Sequence, residues 1–296
     1  MVYDRRSAPC LRLETYLSFD SLHDQIDSCF SDPLKSAPCD VGLGVEVNMS
    51  SVVRVCTSLL KHWRQRVNEL ASTLPADERE CARRYLRRED QERFVITRAL
   101  TRRICAAHTG LEPHAVSFWR TSFGKPYLVA GERARHRKIE FNVSHSGDCV
   151  LIAWTEGGPV GVDVEAVEPY RVSFTEIASS AFSADECAVL LSVTAEETAE
   201  TFYRVWVRKE AVLKAEGCGV GGPLKSFSVA VRTPLGTRWL DEVSFPSSDR
   251  VWSIVELTPA PAHVAAVAVP LGAIVEKCTD FPEYREECLL SARTKR

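Results

Sequence analysis

The chain has 296 residues, with 45% hydrophobic and 26% charged residues, which are ordinary values for a soluble globular protein. It contains no run of about 18 apolar residues of the kind that spans a membrane, and its N-terminus lacks the apolar segment of a secretory signal. We therefore expect a cytoplasmic protein with no membrane partner. The eleven cysteines show no zinc spacing, and free, mostly buried thiols are expected.

Charge is distributed unevenly along the chain, although the formal net charge is only −3. Residues 79–138 carry 15 basic and 6 acidic side chains, whereas residues 163–210 carry 4 basic and 10 acidic ones. Two solvated faces would explain this asymmetry, and so would a phosphate-binding wall beside a metal site. Charge alone does not distinguish these two interpretations, and the sequence motifs are needed for that.

Regular structure is predicted to begin near Val52. Residues 1–50 mix Ser, Asp, Pro and Cys with little periodicity, which indicates a poorly ordered N-terminal extension. Pro75 is well placed for the first turn of a helix, and apolar spacing continues the helical pattern to His108, with a break near residues 88–90. Strands are predicted over residues 115–119, 138–145 and 149–154.

A turn near residues 157–159 separates this first half from a second half of similar element order. Ser183 and Glu186 have the spacing of a capping box, which predicts a helix over about 184–193. A long helix is predicted from about residue 198 to residue 216, where glycines end it. Strands are predicted over residues 160–167, 227–231, 251–257 and 263–269.

Each half contains about two helices and three or four strands, in an order that does not alternate strictly. This pattern predicts an α+β fold with two similar lobes rather than a doubly wound sheet. We assign residues 51–158 to the N-terminal lobe and 159–272 to the C-terminal lobe. Residues 273–296 are expected to form a charged tail.

Two acidic residues lie two positions apart in the strand predicted over 160–167. Asp163 and Glu165 therefore point to the same face of that strand, which is otherwise apolar. Such carboxylates are either exposed to solvent or, if buried, paired with a cation. Taken alone, the pair is equally compatible with an ordinary charged strand face.

The long helix adds a third carboxylate and a lysine. Trp206, Glu210 and Lys214 are spaced by four residues and share one helical face. A surface Glu–Lys pair is one explanation of this spacing. The other is that Glu210 joins Asp163 and Glu165 in an oxygen-rich Mg²⁺ site, with Lys214 reaching the same phosphates.

Five motifs occur in one order along the chain. They are GKP at 124–126, FNVSHSG at 141–147, GVDVE at 161–165, FSADE at 182–186 and WVRKEAVLK at 206–214. In this order and spacing they resemble the 4′-phosphopantetheinyl transferases of the longer, two-lobed Sfp type. The resemblance covers roughly residues 70–270 and includes RREDQER at 87–93.

The resemblance implies roles for individual residues. It makes Asp163, Glu165 and Glu210 the ligands of Mg²⁺, for which Mn²⁺ can substitute, and it places Lys214 near the pyrophosphate. Asp163, Glu210 and Lys214 are the implied catalytic residues. The implied coenzyme A contacts are Ser144, His145 (at the 3′-phosphate), Lys125, Arg120, Arg88, Arg93 and Lys214. Cys81 departs from the family pattern, which often has a basic residue there.

The resemblance also implies a reaction and a partner. Such enzymes transfer the 4′-phosphopantetheine arm of coenzyme A to a serine of an apo acyl carrier protein or a peptidyl or aryl carrier domain, releasing 3′,5′-ADP. The family fold binds coenzyme A between two lobes related by a pseudo-twofold axis, and one chain is expected to suffice as a monomer. A basic first lobe would steer acidic carriers.

Three other interpretations compete with this one. The basic block could bind nucleic acid, but its aromatic residues have the spacing of a core, so no nucleic-acid partner is expected. The chain could be a coenzyme A-binding relative without catalysis, although the complete set of carboxylates argues against this. It could also be a transferase acting on the thiol end of coenzyme A, which would need no three-carboxylate site.

Overall fold

The computed structural model describes residues 51–121, 124–128, 139–168, 173–218 and 222–278. The expected N-terminal extension, residues 1–50, lies outside these ranges. The described residues form a mixed α and β structure with two separate four-stranded sheets and two short two-stranded sheets.

The elements of the first half surround one of the four-stranded sheets. Its strands and helices are β1 (Val52–Leu59), α1 (Val67–Ser72), α2 (Ala76–Arg83), α3 (Arg88–Thr109), β2 (Phe118–Arg120), β3 (Pro126–Leu128), β4 (Glu140–Ser146) and β5 (Cys149–Thr155). Three short 3₁₀ helices accompany them at Leu60–His62, Arg64–Arg66 and Pro113–Ala115. The 22-residue helix α3 packs its apolar stripe on this sheet and ends at Gly110, which adopts a left-handed φ of 70°.

The elements of the second half surround the other sheet. They are β6 (Gly161–Ala166), α4 (Phe174–Ala181), α5 (Ala184–Leu190), α6 (Ala195–Glu216), β7 (Ala230–Thr233), β8 (Gly236–Trp239), β9 (Glu242–Ser244), β10 (Val251–Leu257) and β11 (His263–Pro270), with a 3₁₀ helix at Leu224–Ser226. The last strand, β12 (Ile274–Cys278), returns to the first sheet.

The two large sheets have the strand orders β12-β1-β5-β4 and β6-β11-β10-β9. All pairings are antiparallel except that of β12 with β1. Strands β4 and β6 are therefore the edges at which the two sheets can meet. Helix α6 lies directly on β6, because a Cβ atom on Gly161 would lie 2.0 Å from the carbonyl oxygen of Ala211.

The two long helices and strands β4, β5, β6, β10 and β11 agree with the sequence predictions apart from their ends, whereas strand β1 and helices α1 and α4 were not predicted. The helical pattern from Pro75 to His108 does contain a break, but at residues 84–87 rather than 88–90. Helix α6 begins at Ala195, because the capping box of Thr194 and Glu197 starts it three residues earlier than predicted. The predicted strands at 115–119 and 227–231 are instead 118–120 and 230–233, and the helix at 184–193 ends at Leu190.

The predicted tail needs a correction at its start. Residues 274–278 were expected to belong to a charged tail over 273–296, but they form β12, which pairs in parallel with Val52–Cys56 of β1. Strands β3, β8 and β9 were not predicted either. Each of these strands has only three to five residues, too few for alternation to be distinctive.

Among the cysteines in the described residues, all but Cys81 follow the expectation of free thiols. The six free thiols in the described part of the chain are Cys56, Cys105, Cys149, Cys187, Cys218 and Cys278. Cys81 is disulfide-bonded, which the sequence did not predict, because spacing alone does not tell which cysteines folding brings together. None of the helices in the described ranges is long and apolar enough to cross a membrane.

Candidate active site

The candidate site lies where β4 of the first sheet meets β6 of the second. Asp163 and Glu165 project from the same face of β6 as Gly161, and that face lies under helix α6. Asp163 is only 4% exposed, and Glu165, one strand step further out, is partly exposed. The predicted strand face is therefore covered by a helix and is not an ordinary solvated surface.

Helix α6 contributes a lysine to this junction. The Nζ atom of Lys214 lies 2.6 Å from Oδ1 of Asp163 and donates a second hydrogen bond, of 3.2 Å, to the hydroxyl of Ser144. Glu210, one turn earlier on the same helix, interacts electrostatically with both Asp163 and Lys214. The structure thus brings Asp163, Glu210, Lys214 and Ser144 together from three separate elements.

Serine hydroxyls on β4 hold the two carboxylates of β6. Ser144 donates to Oδ1 of Asp163 over 2.8 Å, and Ser146 donates to Oε2 of Glu165 over 2.7 Å. Sequence analysis named Ser144 but gave no role to Ser146. The alternation of side chains places Ser144 and Ser146 on one face of β4, and Asp163 and Glu165 on one face of β6. Nothing in the sequence, however, says that these two strands are neighbours.

The charges at the site shift the pKa values of two side chains. Burial, and then repulsion from Asp163, raise the pKa of Glu210 from 4.5 to about 7, although Lys214 opposes the shift. Burial lowers the pKa of Lys214, but Asp163, Glu210 and Glu165 outweigh burial and raise this pKa above its ordinary value. The site therefore has an excess of negative charge around one fixed ammonium group.

One carboxylate oxygen of the site lacks a hydrogen-bond partner among the described residues. This atom is Oδ2 of Asp163, which is buried, a costly state for an anionic oxygen. Across the described ranges, no three His, Cys, Asp or Glu residues form a group that could hold a metal ion as they stand. The chemistry of the donors nevertheless fits Mg²⁺, because all three carboxylates offer hard oxygen ligands and one buried oxygen lacks a partner.

The other sequence-predicted site residues lie around this junction. His145 is buried on β4 between the two serines, and the turn that follows it ends at Asp148. The Nζ atom of Lys125 donates to the carbonyl oxygen of Val160, just before β6, at 3.3 Å and to that of Ala215, on helix α6, at 3.4 Å. Arg120 belongs to β2, and its side chain is outside the description.

The two predicted arginines of the basic segment form ion pairs within helix α3. Arg88 lies 2.7 Å from Glu92, with 83% of its side chain exposed, and Arg93 lies 3.2 Å from Asp90. Arg64 connects this helix to the site, since it lies 3.5 Å from Glu92 and 3.3 Å from Asp148. Arg88 thus belongs to a charged network that leads through Glu92 and Arg64 to the β4–β5 turn, whereas Arg93 pairs with Asp90 alone among the described ion pairs. Neither arginine contacts the carboxylates of β6 in the described hydrogen bonds.

Comparison with known proteins identifies the family. Residues 61–156 match the family model described as the 4′-phosphopantetheinyl transferase N-terminal domain, and residues 159–267 match the 4′-phosphopantetheinyl transferase superfamily. The chain is 34% identical over 221 residues to the 4′-phosphopantetheinyl transferase HetI of Nostoc sp., covering 75% of this chain and 89% of the relative. It is 29% identical over 216 residues to the 4′-phosphopantetheinyl transferase Sfp of Bacillus subtilis, covering 73% and 86%.

The chain therefore belongs to the 4′-phosphopantetheinyl transferase superfamily. The boundary between the two matched segments falls at residues 157–158, between β5 and β6. The site described above lies at the junction of the two segments, because β4 belongs to the first and β6 and α6 to the second.

Proposed function

We propose that the protein transfers the 4′-phosphopantetheine arm of coenzyme A to a serine hydroxyl of an apo carrier protein. The observation that supports this most strongly is the contact of Lys214 with Asp163 beside Glu210, at the junction of the two family segments. A transferase acting on the thiol end of coenzyme A gives no reason for three acidic side chains around one lysine. We further propose that the two segments form lobes related by a pseudo-twofold axis.

The proposed reaction is a phosphoryl-group transfer. The serine oxygen of the carrier forms a bond to the phosphorus next to pantetheine, the bond from this phosphorus to the bridging oxygen breaks, and 3′,5′-ADP leaves. Glu210 accepts the serine proton, directly or through a water. In the metal-free site, burial and the charge of Asp163 raise the pKa of Glu210 to about 7, so this carboxylate takes up a proton more readily than an ordinary glutamate does.

Lys214 stabilises the negative charge that develops on the pyrophosphate. Its pKa lies above the ordinary value, so the side chain stays protonated throughout the reaction. We assign Mg²⁺ or Mn²⁺ to Asp163, Glu165 and Glu210, and when bound the metal would neutralise charge on the same phosphates. The buried oxygen of Asp163 that lacks a partner supports this assignment.

The proposed coenzyme A contacts follow the family resemblance. They are Ser144, His145, Lys125, Arg120, Arg88, Arg93 and Lys214. We propose that one chain acts as a monomer, and that its partner is an acyl carrier protein or a peptidyl or aryl carrier domain.

A direct test is to mix the purified protein with coenzyme A, Mg²⁺ and several apo carrier proteins and to weigh the carriers by mass spectrometry. Each accepted carrier gains the mass of one phosphopantetheine group. Asp163→Ala and Glu210→Ala are expected to lower the rate by about 10³-fold or more, since each removes a charged group from the reaction centre. Glu176→Ala, an exposed carboxylate of α4, is the matched control and keeps full activity.

A chain that modifies none of the carriers would refute the proposed function. If transfer occurs and survives both Asp163→Ala and Glu210→Ala, the assignment of the site is wrong while the function stands.

A further inference from the structure

We propose that Ser146 is a positioning residue of the site, whose hydroxyl fixes the orientation of the Glu165 carboxylate. The inference rests on the proposed function, because it concerns the divalent cation assigned to Glu165. Ser146 itself contacts neither the cation nor the substrate in this proposal.

The two sheets meet at strands β4 and β6. β4 and β6 are edge strands, and they are linked through side chains of β4 rather than by a backbone ladder. Three backbone N–H groups of β6 donate to side chains of β4: Val162 to Asn142 at 2.9 Å, Val164 to Ser144 at 3.3 Å and Ala166 to Ser146 at 3.1 Å. The period of two in both strands keeps this pairing in register.

The chemistry of a hydroxyl gives the serines a second role. The Asn142 side chain accepts from the N–H of Val162. The corresponding residue on the site face of β6 is Gly161, which has no carboxylate for Asn142 to orient. A serine that accepts an N–H still has one proton to donate. Ser146 therefore accepts from Ala166 and directs its only proton at Oε2 of Glu165, 2.7 Å away.

The backbone around Ser146 is itself held in place. The ring of His263 contacts this backbone: its Nε2 lies 3.2 Å from the carbonyl oxygen of Ser146, and its Nδ1 lies 2.8 Å from the carbonyl oxygen of Pro261. The next residue, Gly147, has a left-handed φ of 56°, and a Cβ atom there would lie 3.0 Å from the same ring nitrogen. With its carbonyl and its hydroxyl both engaged, Ser146 is fixed on the first sheet and can hold a carboxylate of the second sheet in one orientation.

The experiment compares Ser146→Ala, Ser146→Thr and Asn142→Ala. Binding of Mn²⁺ to each full-length chain is measured by electron paramagnetic resonance, and thermal unfolding is recorded without metal. Ser146→Ala is expected to raise the Kd for Mn²⁺ by about 10-fold, as loss of a residue that orients a metal ligand typically does. Ser146→Thr keeps the hydroxyl and restores the wild-type Kd.

Asn142→Ala is the matched control, because it removes the same kind of link between the sheets but holds no carboxylate. It is expected to lower the unfolding temperature as Ser146→Ala does and to leave the Kd for Mn²⁺ unchanged. Asn142→Ser serves the same purpose if the alanine variant does not fold.

Two results would overturn the inference alone. One is wild-type Mn²⁺ affinity in Ser146→Ala, and the other is an equal loss of affinity in the folded Asn142 variant. In both cases phosphopantetheine transfer by the wild-type chain would still stand. A wild-type chain that neither transfers phosphopantetheine nor binds Mn²⁺ would overturn the inference and the proposed function together.

Discussion

Helix α6 forms two lysine–carboxylate pairs on different sides, and they differ in how completely their atoms are satisfied. Lys209 lies 2.8 Å from both carboxylate oxygens of Glu186, and neither side chain is exposed. It also donates to the carbonyl oxygen of Phe227 over 2.6 Å. Glu186 accepts in addition from the backbone N–H groups of Ser183 and Val229. Both side chains are therefore fully hydrogen-bonded, and we call such a pair closed.

We call the pair formed by Lys214 and Asp163 open, because its hydrogen bonding within the described residues is incomplete and its lysine is partly exposed. Asp163 keeps one buried oxygen without a partner, and the Lys214 side chain is 19% exposed. Burial dominates at Lys209 and lowers its pKa, whereas the surrounding carboxylates dominate at Lys214 and raise its pKa. The first pair is suited to holding the helix in place, and the second pair is suited to the ligand-binding role proposed above.

The difference shows why neighbouring residues of one motif have opposite tasks. Lys209 and Glu210 are adjacent in WVRKEAVLK, but successive residues of a helix point about 100° apart. Lys209 faces α5 and the segment before β7, while Glu210 and Lys214 face β6. Half of the motif therefore anchors the helix, and the other half forms the site.

The largest expected effect separates these two tasks. Glu186→Ala leaves Lys209 buried without its carboxylate, which typically destabilises a protein by about 3–5 kcal/mol. Transfer per folded molecule is expected to stay within about twofold of wild type, since Glu186 does not contact the site. Urea unfolding measures the first quantity, and the initial rate at low temperature, normalised to folded protein, measures the second.

Asp163→Asn is the mirror variant. It keeps the shape of the side chain, and we expect it to lower transfer by about 10³-fold with a smaller loss of stability than Glu186→Ala. If Glu186→Ala abolished transfer in the folded protein, or if Asp163→Asn were the more destabilised variant, the division between a closed and an open pair would be wrong.

Much of this arrangement could be predicted from the sequence, because it depends on local periodicity. The period of two places Asp163 and Glu165 on one face of β6, and the period of 3.6 places Glu210 and Lys214 on one face of α6. The sequence also predicted both long helices. These features need only residues that are close together along the chain.

What could not be predicted depends on residues that are far apart in the chain. No local pattern tells that residues 274–278 pair with 52–56, or that Ser146 contacts Glu165. The capping box correctly predicted that Glu186 lies at the start of a helix. It did not predict the ion pair of Glu186 with Lys209, because the two residues are 23 positions apart in the chain. Charge alone does not distinguish a buried pair from an exposed one.

The pH dependence of stability tests the raised pKa of Glu210, which lies beside the Lys214–Asp163 pair. In metal-free buffer the folded protein holds a proton on Glu210 up to about pH 7, whereas the unfolded chain releases it near pH 4.5. Stability from this group is therefore fully present below pH 4.5 and is lost as the pH rises through 7. We expect the free energy of unfolding to fall by about 2 kcal/mol between pH 5 and pH 8 because of Glu210.

Glu210→Gln should abolish this decrease, and the matched variant Glu176→Gln should retain it. Urea titrations of the three proteins at pH 5 and pH 8, with a chelator present, measure the difference. An equal pH dependence in wild type and Glu210→Gln would show that burial and the charge of Asp163 do not raise the pKa of Glu210.

The smallest expected effect concerns two arginines that form no ion pair with any described carboxylate. Arg84 and Arg87 are exposed at the corner between α2 and α3, and within the described residues neither forms an ion pair. Leu86 lies between them with 97% of its surface exposed. The ion pairs of Arg64 with Glu92 and Asp148 connect this corner to the turn that follows Ser146. We propose that these exposed charges attract an acidic carrier that approaches the site.

Arg84→Glu combined with Arg87→Glu is expected to raise KM for an acidic carrier about three- to tenfold at low salt and to leave kcat nearly unchanged. The increase should shrink at high ionic strength, because exposed charges are screened within about 10 Å at 0.1 M salt. Arg232→Glu, an exposed arginine of β7, is the control and should leave KM unchanged. A loss of kcat instead of a rise in KM would mean that these arginines act on bound coenzyme A, and the carrier would then have to approach the open pair from another side.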